Sequence, residues 1–199
     1  MSNNDRTIST NQNDRTISTN QDVVSFLTEQ HEAIKRLFVE TLDAPDAAAQ
    51  RKSFDALRTM LAVHETAEEM MVHPRVRRKV SGGDEIVDAR LSEEHDSKVA
   101  LAEIEKLDFG TAEFSKAIIH LQAAVLEHAE KEETEEFPRL EDELDAAELK
   151  KLTEAVVFAE RIAPTHPHPG VESGAANFAV GPFASLLDRA RDALKGSAA

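Results

Sequence analysis

From Gln21 onward, apolar residues recur at alternating steps of three and four, the period of a helix with one buried face. One stripe reads Leu27, His31, Ile34 and Phe38. A second reads Phe54, Leu57 and Leu61 and continues through His64, Glu68 and Met71. A third runs Val87, Leu91, His95 and Val99 at a constant step of four. A fourth runs Phe114, Ile118, Leu121 and Val125 and continues through His128 and Glu132. The breaks between them are Asp43-Ala44-Pro45, His73-Pro74, Ser81-Gly82-Gly83, Asp108-Phe109-Gly110-Thr111 and Pro138. The pattern predicts helices over 22–42, 45–72, 84–107 and 112–137. A basic loop, Arg75 to Val80, should separate the second from the third.

Four long helices joined by short connections pack best as an antiparallel up-down four-helix bundle, so the fold class is all-α. The bundle is expected over 22–138. Residues 139–199 read as a helical extension packed on it, with helices over 145–162 and 182–194. The stretch before residue 22 repeats NDRTISTNQ in tandem, at 4–12 and 13–21. It is too polar to offset its ordering entropy and reads as a disordered tail.

Composition narrows the chemistry. The 199 residues carry a formal charge of −15, which argues against a nucleic-acid backbone or an anionic membrane as partner. With no Cys, thiolate catalysis, iron–sulfur clusters and zinc fingers are excluded. The absence of Tyr and Trp excludes tyrosyl radicals and indole stacking. The first twenty residues hold no apolar signal core, and the most apolar stretch, 117–126, is too short to span a bilayer. A cytoplasmic location is the default expectation, while the oligomeric state is left open with a monomer among the options. Eight His in an acidic chain without Cys are what remains to be explained.

The histidines stand in register. His31 to His95, His64 to His128, Glu68 to Glu132 and Pro74 to Pro138 are each separated by 64 residues. The segment Leu27-Thr28-Glu29-Gln30-His31-Glu32 matches Leu91-Ser92-Glu93-Glu94-His95-Asp96, so the domain reads as two related helix hairpins. His64 and Glu68, like His128 and Glu132, share one helix face one turn apart. A carboxylate in a packed core is costly unless paired or bound to a cation. The inner stripes as written offer no Lys or Arg to pair with, so four imidazoles and two carboxylates converging there point to a metal. Mixed imidazole and carboxylate donors suit iron or manganese.

With these positions, His31, His64-x-x-x-Glu68, His95 and His128-x-x-x-Glu132, residues 21–138 resemble the hemerythrin-like, or HHE cation-binding, domain of the H-HxxxE-H-HxxxE type. The stretch 163–170 and the helix after it resemble the tail of actinobacterial members. The resemblance implies two iron ions with an oxo or hydroxo bridge, held by His31, His64, Glu68, His95, His128 and Glu132, with the two glutamates bridging. It departs from the oxygen carriers, because Val99 stands four residues after His95 where they have a fifth histidine. Ligand counting then leaves an open position on each iron, which favours redox turnover over reversible end-on O2 binding. The resemblance thus implies an oxidoreductase of catalase or peroxidase type acting on H2O2, with NO as a further substrate. The alternative is a protein that binds, stores or senses O2, NO or iron without turnover.

Other polar residues carry weaker readings. Glu65 reads as a seventh ligand, an acceptor for an imidazole N–H, a proton relay or a solvated charge. Glu69 and Glu133 read as surface groups or partners of the ligands. His73 is expected at the bundle end or, as a second reading, lining ligand access, His120 on the surface, and His166 and His168 in a solvated loop.

Overall fold

The computed structural model describes residues 21–170 and Asp188. The tandem repeat lies outside the described residues, as does the expected helix 182–194 apart from Asp188. The bundle is built from α1 (Val23–Leu42), α2 (Ala47–Ala67), α4 (Gly83–Ile104) and α5 (Ala112–Lys131). Short helices α3 (His73–Lys79) and α6 (Phe137–Glu143) prolong α2 and α5, and α7 (Ala146–Ile162) follows. Around the bundle, α1 packs on α2 and α5, and α4 packs on α5 and α2. The all-α up-down bundle is therefore the fold.

Capping explains where the helices begin. Asp22, Asp46, Thr111 and Asp145 each accept a backbone N–H three residues on, at 2.8, 2.8, 3.2 and 2.8 Å. Asp145 and Glu148 form a reciprocal capping box. At the turn before α4, Gly82 has φ 73°, and a Cβ on Gly83 would collide with the Val76 carbonyl.

The prolines do not end α2 and α5 as the sequence predicts. Each helix passes through a π-helical turn, Glu68–Val72 and Glu132–Glu136, and resumes with Pro at its first turn. The backbone N–H groups of His73 and Phe137 reach back to the Glu68 and Glu132 carbonyls, five residues earlier. The added residue in the turn puts Pro74 and Pro138 where a missing N–H costs little. The expected basic loop is accordingly helical: it is α3.

Burial divides the interior into two apolar cores. One gathers Ile34, Phe38, Phe54, Leu57, Leu61, Leu101, Ile104, Phe114, Ile118, Leu121 and Val125. The other gathers Val23, Leu27, Val72, Val76, Val87, Phe137 and Leu140 with Leu149, Leu152, Val156 and Ala159 of α7. Helix α7 therefore closes the second core. Along α1, His31 falls between Leu27 and Ile34. Along α5, His128 and Glu132 fall between Val125 and Phe137. A polar layer thus separates the two cores.

Candidate metal centre

Three of the four inner stripes are the expected ones. His31, His64, Glu68, His128 and Glu132 are all buried. The stripe of α4 is different. Its buried residues are Val87, Arg90, Glu94, Ser97, Lys98, Leu101 and Ile104, while Val99 is 40% exposed. A row at constant steps of four drifts about 40° around a helix at each step, whereas alternating three and four stays on one face. Leu101 and Ile104 enter the apolar core, and counting back from them by threes and fours reaches Glu94. His95 is turned about 100° from that face and is only half-buried. His95, expected among the ligands, does not join the converging donor atoms; Glu94 stands at that level instead.

Among the described residues, two groups of four bring their donor atoms within 4.8 Å of one another. One is His31, His64, Glu68 and Glu132. The other is Glu68, Glu94, His128 and Glu132. They share Glu68 and Glu132, the two carboxylates that open the π turns. His64 Nε2 lies 3.3 Å from Glu68 Oε2, His31 Nε2 3.3 Å from Glu132 Oε2, and His128 Nε2 3.2 Å from Glu132 Oε1. Both oxygens of Glu68 and of Glu132, and Nε2 of His31 and His128, are buried and make no hydrogen bond among the described residues.

The outer nitrogens of the same rings are all engaged. His31 Nδ1 donates to Glu133 Oε1 at 2.7 Å, His64 Nδ1 to Gln30 Oε1 at 2.8 Å, and His128 Nδ1 to Glu93 Oε2 at 2.9 Å. A ring that donates through Nδ1 can offer Nε2 to a metal once that nitrogen gives up its proton; with no metal bound, burial disfavours charge on His31 and His128, but the facing Glu132 outweighs it and raises both. His31 also stacks on Phe137, with centroids 5.8 Å apart and planes 11° apart. In the other half, the residue equivalent to Phe137 is His73, whose Nε2 lies 2.6 Å from Glu94 Oε1. The exchange of His31 for Glu94 is thus matched by the exchange of Phe137 for His73.

Charge is crowded here. Burial, then the Glu132 and Glu94 charges, push the Glu68 carboxyl well above the ordinary range. Burial also disfavours charge on Glu132, but His128 and His31 outweigh it and hold that carboxyl well below. His64 is pushed down to about 3 by burial and then by neighbouring His31. Burial raises Glu65 to about 8, and burial with the neighbouring Glu94 raises Glu69 to about 9.

Glu65 and Glu69 are both buried, so neither is the solvated charge that was one reading of them. Glu69 pairs with Lys98, which together with Arg90 puts two cations on the inner face of α4. Arg90 engages Glu93 and Glu135 at 2.6 and 3.0 Å. Among the described residues neither cation forms an ion pair with Glu68 or Glu132. The bundle-end reading of His73 is corrected as well: it is buried between Glu94 and Glu136. His120 is exposed, but His166 is buried beside Asp188. Only the periodic register of α4, anchored on Leu101 and Ile104, could have pointed to Glu94 in advance.

Inward-facing imidazole nitrogens and buried carboxylates that make no hydrogen bond among the described residues are what a divalent or trivalent cation can satisfy in place of protons, so the residues fit one. A family model, the hemerythrin HHE cation-binding domain, matches residues 22–156. The chain belongs to that family. Members of the hemerythrin family bind metal through this domain, and the two donor groups lie within the matched range. Among solved structures, the chain resembles the hemerythrin HHE cation-binding domain-containing protein of Mycobacterium kansasii, with a TM-score of 0.63 at 20% identity. The alignment covers 71% of this chain and 86% of the other and shows the shared fold. No curated protein matches this hemerythrin-family chain.

Proposed function

We propose that this protein holds two iron ions and uses them on small oxidants, hydrogen peroxide first. His31 and His64 would hold one ion, Glu94 and His128 the other, with Glu68 and Glu132 shared. The observation that carries this reading is the pair of four-residue donor groups with two carboxylates in common. Imidazole and carboxylate donors in a chain without Cys suit iron. Such an iron pair, when bound, supplies a reservoir of two electrons.

The chain's own residues supply the rest. Four protein residues per ion are fewer than the six donors an octahedral ion takes, which leaves room for a small ligand. The apolar cores on either side keep bulk water and large reductants away. Disproportionation suits such a site, since two H2O2 give two H2O and one O2 with no outside reductant. The Glu65 carboxyl, buried on the α2 face beside His64, is placed to hold a proton near Glu94. Among the described residues no helix is long and apolar enough to cross a membrane.

The depth of the site, and the lack of Cys, Tyr and Trp to pass electrons outward, also fit a second reading. In that reading the protein binds O2, NO or iron without turnover. Protein expressed with added iron should evolve O2 from H2O2 in proportion to its iron content, and His128→Ala and Glu132→Ala should lose both together. Two irons per chain with a reversible O2 spectrum and no O2 evolution would establish the second reading instead.

A further inference from the structure

Gln30 is 4% exposed and lies on α1 one residue before His31. Its Nε2 donates to Glu160 Oε1 on α7, and its Oε1 accepts from His64 Nδ1 at 2.8 Å. A side-chain amide has a donor end and an acceptor end, whereas a carboxylate only accepts. Glu160 therefore decides which way the Gln30 amide faces. With Nε2 engaged by Glu160, Oε1 faces the ring and can only accept. The proton of His64 then resides on Nδ1, and Nε2 keeps its lone pair toward Glu68. Reversed, the amide would present N–H to Nδ1, move the ring proton to Nε2, and close that nitrogen to a cation.

The other two imidazoles need no such device. His128 Nδ1 faces Glu93, a carboxylate steadied by Arg90 at 2.6 Å and Lys131 at 2.7 Å. His31 Nδ1 faces the Glu133 carboxylate. Glu93 follows Gln30 by 63 residues, the same offset that relates Glu94 to His31. The two partners therefore occupy equivalent places in the two halves. Only His64 relies on a group that could face either way, and that group is tied to the helix outside the four-helix bundle.

We propose that Glu160 and Gln30 are positioning residues through which α7 sets the tautomer of His64 and so the affinity of the metal position that His64 serves. The inference rests on the metal-centre reading and makes α7 a working part of that centre rather than a cover for the core.

The test uses the full-length chain and Zn2+ as a diamagnetic probe. Glu160→Ala and Gln30→Leu should weaken one of two Zn2+ binding events about 10- to 100-fold and leave the other unchanged. Gln30→Glu in the Glu160→Ala background gives His64 a partner that can only accept, as Glu93 does for His128, and should restore the lost affinity. Imidazole 15N shifts of His64 in the Zn2+-free protein should show the Nδ1–H tautomer in wild type and in the double variant, and a mixture in Glu160→Ala. Val156→Ala, which loosens buried packing of α7 without touching the relay, should lower stability and leave both Zn2+ affinities alone. Wild-type Zn2+ binding by Glu160→Ala would overturn the inference, as would equal loss in Val156→Ala. If wild type bound fewer than two Zn2+, the metal-centre reading would fall instead, and an Nδ1–H tautomer that depends on Glu160 would still support the relay.

Discussion

Replacing Glu68 by Gln should leave the chelated protein as stable as wild type and abolish most of its stabilisation by iron. Glu68 is 0% exposed, and its donor atom lies within 4.8 Å of those of Glu94 and Glu132. Two unit charges at that separation repel by about 3.5 kcal/mol at an effective dielectric of about 20, so three ionised carboxylates would cost Glu68 about 7 kcal/mol. Without a cation the group escapes by taking up a proton, in line with its raised pKa. Gln is nearly isosteric with that protonated carboxyl. Under EDTA the variant should therefore melt within about 3 °C of wild type, since 1 kcal/mol moves Tm by roughly 2–4 °C at this size. With anaerobic Fe2+ at a hundredfold excess over Kd, wild type should gain about 2.7 kcal/mol per ion, or about 5.4 kcal/mol and roughly 11–22 °C for two. The variant, lacking a shared carboxylate, should gain little. Thermal unfolding of both proteins with and without chelator, alongside metal analysis, makes the comparison. A fall of more than about 5 °C under EDTA, or an iron-induced rise equal to wild type, would refute the reasoning and make Glu68 a structural group.

Two further outcomes follow from the packing. Glu94→Ala should lower bound iron to about one ion per chain, whereas His95→Ala should keep wild-type iron; elemental analysis of the two variants separates the registers of α4. Phe54→Ala, in the apolar core beyond the polar layer and against Phe109 and Phe114, should cost about 3–5 kcal/mol in urea unfolding while the folded fraction keeps its full metal content.

How far the site could be read from the chain depends on what anchors each helix. On α1, α2 and α5 the apolar residues on both sides of the polar layer lie on one row with the His and Glu. Leu27 and Ile34 bracket His31, and Val125 and Phe137 bracket His128 and Glu132, so period and burial agree. On α4 the two signals compete. Sequence similarity aligns Leu91-Ser92-Glu93-Glu94-His95 with Leu27-Thr28-Glu29-Gln30-His31 at an offset of 64. Burial aligns Arg90, Glu94, Ser97 and Leu101 with Leu27, His31, Ile34 and Phe38 at an offset of 63. Burying His95 would turn Leu101 outward and draw Glu105 or Lys106 toward the apolar core. Losing a buried Leu costs more than a histidine at the surface, so the core sets the rotation of α4. The π turns were hidden for a related reason. A proline marks a missing N–H, but whether the chain stops or rewinds depends on what lies beyond. Here Val76 and Leu140, both 0% exposed, reward continuing the helix. The same rotation that hides Glu94 from sequence similarity places Glu93 opposite His128, as Gln30 stands opposite His64. The two halves therefore differ in the ligand and in the group behind the ligand together, and one turn of α4 accounts for both.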